Sequence, residues 1–165
     1  VGPMGAGKTT VGKHLARLLG MGFFDLDTEI EARSGADISW IFDVEGEQGF
    51  RERETAMLKE LAAREAAIIA TGGGIVLRAE NREILVETGT VVYLAVPVAT
   101  LIERTRSDTK RPLLQVEDRE AAVEKLASER APLYEEVASI TYTGDKASPH
   151  AAAQSILKLV QQQQS

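Results

Sequence analysis

Residues 2–9 constrain the fold of this chain more than any other segment. They read GPMGAGKT and match the pattern G-x-x-x-x-G-K-[ST] at every fixed position. Glycines allow the positive φ angles that turn several backbone N–H groups inward, where they can bind phosphate oxygens. The lysine adds a positive charge, and the helix that usually follows adds the positive end of its dipole. The segment therefore predicts a phosphate-binding loop between a buried strand and a helix.

The residues on either side of this loop support only half of that prediction. After the loop, Val11, Leu15 and Leu18 form an apolar stripe that predicts a helix over residues 8–19. Before the loop stands only Val1, so the first strand is expected to be largely missing from the chain. Because such a strand is usually central in a nucleotide-binding sheet, its absence predicts poor stability and weak ATP binding.

Short apolar runs alternate with helical stretches over the rest of the chain. The predicted strands are 23–26, 67–70, 91–96 and 140–143, and the main predicted helices are 28–35, 47–64, 81–86, 119–137 and one that begins at 149. This alternation predicts a P-loop NTPase three-layer α/β sandwich, in which helices flank a parallel sheet. Residues 1–165 are expected to form a single kinase domain, with a substrate-binding region at about 25–64 and a lid at about 105–118.

The composition limits the kinds of molecule that this chain is expected to bind. The 19 basic and 25 acidic side chains give a net charge of −6, which argues against broad nucleic-acid binding. There is no cysteine, which excludes thiol catalysis, and no apolar run approaches the roughly 20 residues of a membrane span. We therefore expect a cytoplasmic, monomeric enzyme with no nucleic-acid or membrane partner. His14 and His150 are not expected to form a pair.

Two aspartates lie around the end of the first predicted strand. Asp25 and Asp27 are two residues apart, so an extended backbone would point both toward one face, at the strand end where parallel sheets bind ligands. One could hold Mg²⁺ through water and the other could orient a hydroxyl or accept its proton. The alternative is a solvated strand end with an aspartate that caps a helix.

Three consecutive glycines, residues 72–74, follow the predicted strand 67–70. They allow a ligand to approach the backbone, or they form a flexible turn. Thr28 and Glu31 have the spacing of a capping box for the second helix.

Two arginines stand out from those scattered along the chain. Arg111 precedes Pro112 in a charged segment, where a closing lid could bring its guanidinium onto a transferring phosphoryl group. Arg51 follows Phe50 near the inner edge of a predicted helix, where it could bind a carboxylate through two nitrogens.

Together these segments resemble the shikimate kinases, and most closely the bacterial form. The matching segments are GPMGAGKTT at 2–10, FFDLDTEIE at 23–31, DVEGEQGFRERE at 43–54, TGGG at 71–74, RPLL at 111–114 and ERAPLYEEVA at 129–138. They follow the order and spacing of the family and cover nearly the whole chain. The resemblance implies transfer of a phosphoryl group from Mg-ATP to the 3-hydroxyl of shikimate, a step of aromatic amino acid biosynthesis.

The resemblance also implies roles for individual residues. The nucleotide would be bound by Gly5, Ala6, Gly7, Lys8, Thr9, Thr10, Arg104 and Arg111. Shikimate would be bound by Asp27, Arg51, Gly73 and Arg130. Thr9 would bind Mg²⁺ directly and Asp25 would hold it through water. Lys8, Asp27 and Arg111 would be catalytic, with Asp27 as the base.

Two other functions stay open on the residues alone. A related kinase could act on gluconate or on a nucleoside monophosphate, although an aromatic content of 5% offers few stacking sites for a base. A nucleotide-dependent switch would need a base-specificity motif such as N-K-x-D, which the sequence lacks. Release of ADP that depends on an acceptor would distinguish a kinase from a switch.

Overall fold

The middle layer of the molecule is built from short parallel strands. In the computed structural model, which describes residues 1–144 and 146–165, there are two pairs of them. Strand β1 (Gly22–Asp25) pairs with β2 (Ala67–Ala70), and β3 (Val92–Leu94) pairs with β4 (Ile140–Tyr142). Parallel neighbours need long crossover connections, which explains why helices separate the strands along the chain.

Helices fill those connections. They are α1 (Lys8–Leu19), α2 (Leu26–Ser34), α3 (Ile38–Ala62), α4 (Ala79–Thr88), α5 (Val98–Thr105), α6 (Arg119–Val137) and α7 (Pro149–Gln163), with 3-10 turns at Ile75–Leu77 and Pro112–Leu114. Within α3, Gly46 has a φ of 76° and a ψ of 176°, so two helices meet there. The sequence predicted the second of them, from residue 47.

Two apolar cores lie on opposite faces of the strands. Successive side chains of β3 face different cores. Tyr93 belongs to the core under α3 and α6, whereas Leu94 belongs to the core under α1 and α7. Phe24 and Ile69 pack against the first core, and Ile68 packs against the second. Because side chains of a strand alternate between its faces, these two cores produce the predicted three layers.

A channel of about 220 Å³ separates the two pairs of strands. Its walls include Ile69 and Ala70 of β2 and Val91 beside β3. Val1 lies at one end, where its nitrogen donates to the Val92 carbonyl at 2.8 Å and its carbonyl accepts from the Leu94 N–H at 3.0 Å. Val1 therefore continues the ladder of β3 for one residue.

Two local predictions are wrong. Helix α2 begins at Leu26, and its cap is Asp25, whose carboxylate accepts a hydrogen bond from the Thr28 N–H at 3.0 Å. The expected capping box is absent because Thr28 already lies inside the helix. His14 and His150 do form a pair, with ring centroids 5.5 Å apart, because α1 and α7 pack side by side.

No helix within residues 1–144 and 146–165 combines the length and the apolarity that crossing a bilayer requires.

Candidate active site

The phosphate-binding loop folds around its own lysine. Gly5 and Gly7 adopt φ angles of 82° and 92°, which favour glycine, and Gly7 is the residue that caps α1. The Lys8 Nζ donates to the carbonyls of Gly2 at 2.6 Å and Pro3 at 2.8 Å. The loop therefore surrounds the amino group that is predicted to contact phosphate.

Charged residues from other elements surround this lysine. Desolvation and, to a smaller extent, the nearby Arg111 guanidinium lower the pKa of Lys8 to about 7, although Asp27 and Asp25 act in the opposite direction. Of the three residues that the sequence predicted to be catalytic, Lys8 thus interacts with both Asp27 and Arg111. They line one depression, the polar cavity, of about 140 Å³ between the loop, α2, α3 and α6.

The two residues predicted to hold Mg²⁺ are in contact. The Thr9 hydroxyl donates to Asp25 Oδ2 at 2.5 Å, while Oδ1 of the same carboxylate caps α2. Thr71 adds a buried hydroxyl to the same cavity, and its oxygen has no hydrogen-bond partner among the described residues. Hydroxyl and carboxylate oxygens are the ligands that Mg²⁺ prefers, so the donor set fits this ion.

Asp27 lies in the first turn of α2 and faces the polar cavity. Burial raises the pKa of this carboxyl, Asp25 raises it further, and Lys8 and Arg51 oppose the rise. Its Oδ1 has no hydrogen-bond partner in the described part of the chain. A buried carboxylate with an unused acceptor favours a ligand that offers a hydroxyl.

Arg51 is held by a buried ion pair within α3. Its Nη1 lies 3.0 Å from Glu54 Oε1 and its Nη2 lies 3.3 Å from Glu47 Oε1. Glu54 is fully buried, and burial raises its pKa against the opposing effect of Arg51. Glu54 was not among the site residues predicted from the sequence, although an acid and an arginine three residues apart on a helix are a recognisable signal.

Arg130 approaches the cavity from α6. It is only 5% exposed and makes no ion pair with the described residues. Its Nη1 lies 3.5 Å from the position that a Cβ on Gly73 would occupy, so arginine and glycine loop are in contact. A buried guanidinium without a carboxylate partner is a strong candidate for binding an anion.

The predicted lid covers one side of the polar cavity. Arg111 forms an ion pair with Asp108, whose Oδ1 also accepts from the N–H groups of Lys110 and Arg111 at 2.9 and 3.0 Å. The Ser39 hydroxyl donates to the Lys110 carbonyl at 3.3 Å, which joins the lid to the start of α3. Arg111 thus lines the polar cavity, and short-range hydrogen bonds hold the loop that carries it.

Arg104 lies on the other side of the phosphate loop. Its Nη1 donates to the Gly5 carbonyl at 3.0 Å, beside a second depression of about 300 Å³, the Arg104 cavity. Thr10 and Pro149 also line this cavity. Ala6 is buried in the core below the loop. The residues predicted to bind the nucleotide thus surround the loop, and those predicted to bind the acceptor line the polar cavity.

Comparison with known proteins decides the family. The family model for shikimate kinase matches residues 4–161. The chain belongs to the shikimate kinase family. The sequence-based resemblance is therefore confirmed, and so is the prediction of an ATP-dependent kinase. The gluconate-like and switch alternatives find no support among these relatives.

Individual shikimate kinases are similar to this chain over nearly their whole length. One from Actinobacillus succinogenes is 55% identical over 161 residues, which make up 97% of this chain and 92% of the relative. One from Halorhodospira halophila is 51% identical over 165 residues, 100% of this chain and 93% of the relative. The solved structure of the Acinetobacter baumannii enzyme in complex with shikimate is 53% identical, with a TM-score of 0.97 over 99% of this chain and 91% of that one. The P-loop fold is confirmed by this agreement.

Proposed function

We propose that this chain transfers the γ-phosphoryl group of ATP to the 3-hydroxyl of shikimate. The observation that carries the proposal is the polar cavity, in which two buried arginines and a carboxylate with an unused acceptor lie beside a phosphate-binding loop. Shikimate carries one carboxylate and several hydroxyls, which these groups complement. The likeness to the Acinetobacter baumannii enzyme, whose structure contains shikimate, supports the same acceptor.

Arg51 and Arg130 would bind the carboxylate of the acceptor. Arg130 makes no ion pair with the described residues, and Arg51 shares its charge with Glu54 and Glu47. Two guanidinium groups can bind a carboxylate with several charge-assisted hydrogen bonds, which fix its orientation. Gly73, which lies against Arg130, would contact the acceptor through its backbone.

Asp27 would direct the attack of the acceptor hydroxyl. The hydroxyl oxygen forms a bond to the γ-phosphorus as the bond to the leaving oxygen of ADP breaks, and the hydroxyl proton passes to Asp27. The raised pKa of this carboxyl makes it a better proton acceptor than an exposed aspartate. Positioning of this kind is the main contribution a protein makes to phosphoryl transfer.

Lys8, Arg111 and the loop N–H groups would stabilise the charge of the phosphoryl group during transfer. Lys8 and Arg111 already influence each other across the cavity, so both can reach a phosphate at the loop. Thr9 would bind Mg²⁺ directly and Asp25 through water, and the bound ion would neutralise charge on the β- and γ-phosphates. Arg104 and the cavity beside it would accept the adenosine part of ATP.

The chain would act as a monomer. Its exposed large apolar side chains are dispersed over several elements, namely Leu18, Met21, Trp40, Val44, Leu77, Val86, Val98 and Val116. In the part of the chain that the structure describes, these side chains come from several separate elements, which argues against one extensive apolar patch of the kind that marks stable interfaces. Because the reaction consumes ATP, we place it in the cytoplasm. Light scattering after size-exclusion chromatography would check the mass, and a dimer would contradict this part of the proposal.

Acceptor-dependent release of ADP tests the reaction. Wild-type chain is incubated with Mg-ATP, alone and with shikimate or gluconate, and ADP is followed by a coupled assay. We expect release only with shikimate, together with a phosphorylated product whose ³¹P–¹H coupling identifies the 3-position. Release with gluconate alone would overturn the acceptor, and slow release that ignores both would favour a switch. Omission of Mg²⁺ should abolish turnover.

A further inference from the structure

A buried tyrosine connects two residues that the proposed function assigns to the acceptor. The Tyr134 hydroxyl donates to the Gly73 carbonyl at 2.5 Å, across 61 positions of sequence. Tyr134 is 1% exposed and lies one helical turn after Arg130 on α6, so both side chains share a face of that helix. The hydroxyl therefore lies between the glycine loop and the arginine.

Arg130 influences the same hydroxyl. Burial raises the pKa of Tyr134 to about 12, and the adjacent Arg130 guanidinium opposes that rise through its charge and through hydrogen bonding. At neutral pH the hydroxyl therefore keeps its proton for the Gly73 carbonyl, and its oxygen faces the guanidinium.

Packing holds the tyrosine in this position. Its ring stacks on Tyr93 of β3, with centroids 5.1 Å apart and an angle of 27° between the planes. Val137 and Val76 belong to the same core, so the ring has little room to move. The hydroxyl can thus fix the two groups that contact it, because its own position is determined by the core.

We propose that Tyr134 is a positioning residue, which holds Gly73 and Arg130 in the arrangement that binds the acceptor. This inference rests on the proposed function. Without the hydroxyl, the Gly73 carbonyl would lose its donor and the guanidinium would lose a fixed neighbour, although both are needed on one side of the acceptor. The loss should weaken binding of shikimate and leave the nucleotide side of the loop unchanged.

The stacked pair of tyrosines offers a matched control. Tyr134→Phe removes the hydroxyl that contacts Gly73. Tyr93→Phe removes a hydroxyl from the other ring of the stack, and that hydroxyl makes no side-chain hydrogen bond with the described residues. Both variants keep the rings and the core packing, so a general loosening of the core would affect them alike.

The proposal is tested on wild type and both variants. Calorimetry measures the Kd of shikimate and of Mg-ATP, and steady-state kinetics measure KM and kcat. For Tyr134→Phe we expect the shikimate Kd and KM to rise about tenfold, as loss of one buried hydrogen bond implies. The ATP KM and kcat should stay within about twofold of wild type, as should all constants of Tyr93→Phe.

Any other result would contradict either the positioning role of Tyr134 or the proposed function. Equal effects in the two variants, an unchanged shikimate Kd in Tyr134→Phe, or a parallel rise in the ATP KM would overturn the positioning role. A Tyr134→Phe chain that does not bind Mg-ATP would assign the residue to folding and overturn the proposal as well. Wild-type chain that binds no shikimate would contradict the proposed function itself, which separates the two failures.

Discussion

The two sides of this active site are constructed differently. The nucleotide side is largely one contiguous segment, in which the loop backbone, Lys8 and Thr9 come from eight consecutive residues. The acceptor side draws Asp27 from α2, Arg51 from α3 and Arg130 from α6, with the glycines that follow β2. Distant segments must therefore pack correctly before an acceptor can bind, whereas the phosphate loop depends mainly on local backbone geometry.

This contrast predicts different sensitivities to mutation. On the nucleotide side, positive φ angles at Gly5 and Gly7 make backbone changes costly. On the acceptor side, the ion pair of Arg51 with Glu54 makes binding depend on a side chain that need not touch the acceptor at all. A variant that impairs one side and spares the other would support this difference between the two sides. A variant that impairs both equally would contradict it.

The largest separation is expected for Asp27→Asn. The amide cannot accept the proton of the acceptor hydroxyl, so kcat should fall by about a thousandfold, within the usual range for loss of a general base. Mg-ATP affinity should stay nearly unchanged, because the phosphate loop is intact. Steady-state kinetics and calorimetric titration measure the two quantities. Unchanged turnover would remove Asp27 from the mechanism.

Gly74→Ala should weaken the acceptor side alone. A Cβ at Gly74 would collide with the Arg51 guanidinium, which its ion pair with Glu54 holds in place. We expect the shikimate KM to rise about tenfold with little change in the ATP KM. Gly89→Ala is a matched control, because no atom lies within 4 Å of a Cβ built there and its φ is ordinary extended backbone. Similar effects of the two variants would show that Arg51 is not the cause.

The smallest effect is expected from pH on the nucleotide side. Lys8 has a pKa of about 7 in the folded chain, and phosphate beside it would raise that value, so binding of Mg-ATP takes up a proton above pH 7. Linkage then predicts that affinity falls as pH rises, by about fivefold between pH 7 and pH 8. Calorimetry in buffers of different ionisation enthalpy measures the proton. A Lys8→Met chain that shows the same uptake would contradict this assignment.

Some structural details were not available from the sequence because local patterns compete. The spacing of Thr28 and Glu31 fits a capping box, yet Asp25 caps α2, because the strand ends one residue earlier and the helix begins at once. The contact of His14 with His150 depends on how α1 packs against α7. Neither outcome can be read from spacing within one segment.

Four features could be predicted from the residues alone: the phosphate loop, the helix after it, the alternation of strands and helices, and the family. These follow from local rules, since loop glycines, apolar periodicity and contiguous motifs carry their meaning within a few residues. The three-dimensional packing was needed to show that Glu54 holds Arg51, that Arg130 makes no ion pair with the described residues, and that Tyr134 contacts Gly73. The physical reason is burial, because desolvation and packing give these side chains their partners, and both depend on segments that are far apart in the chain.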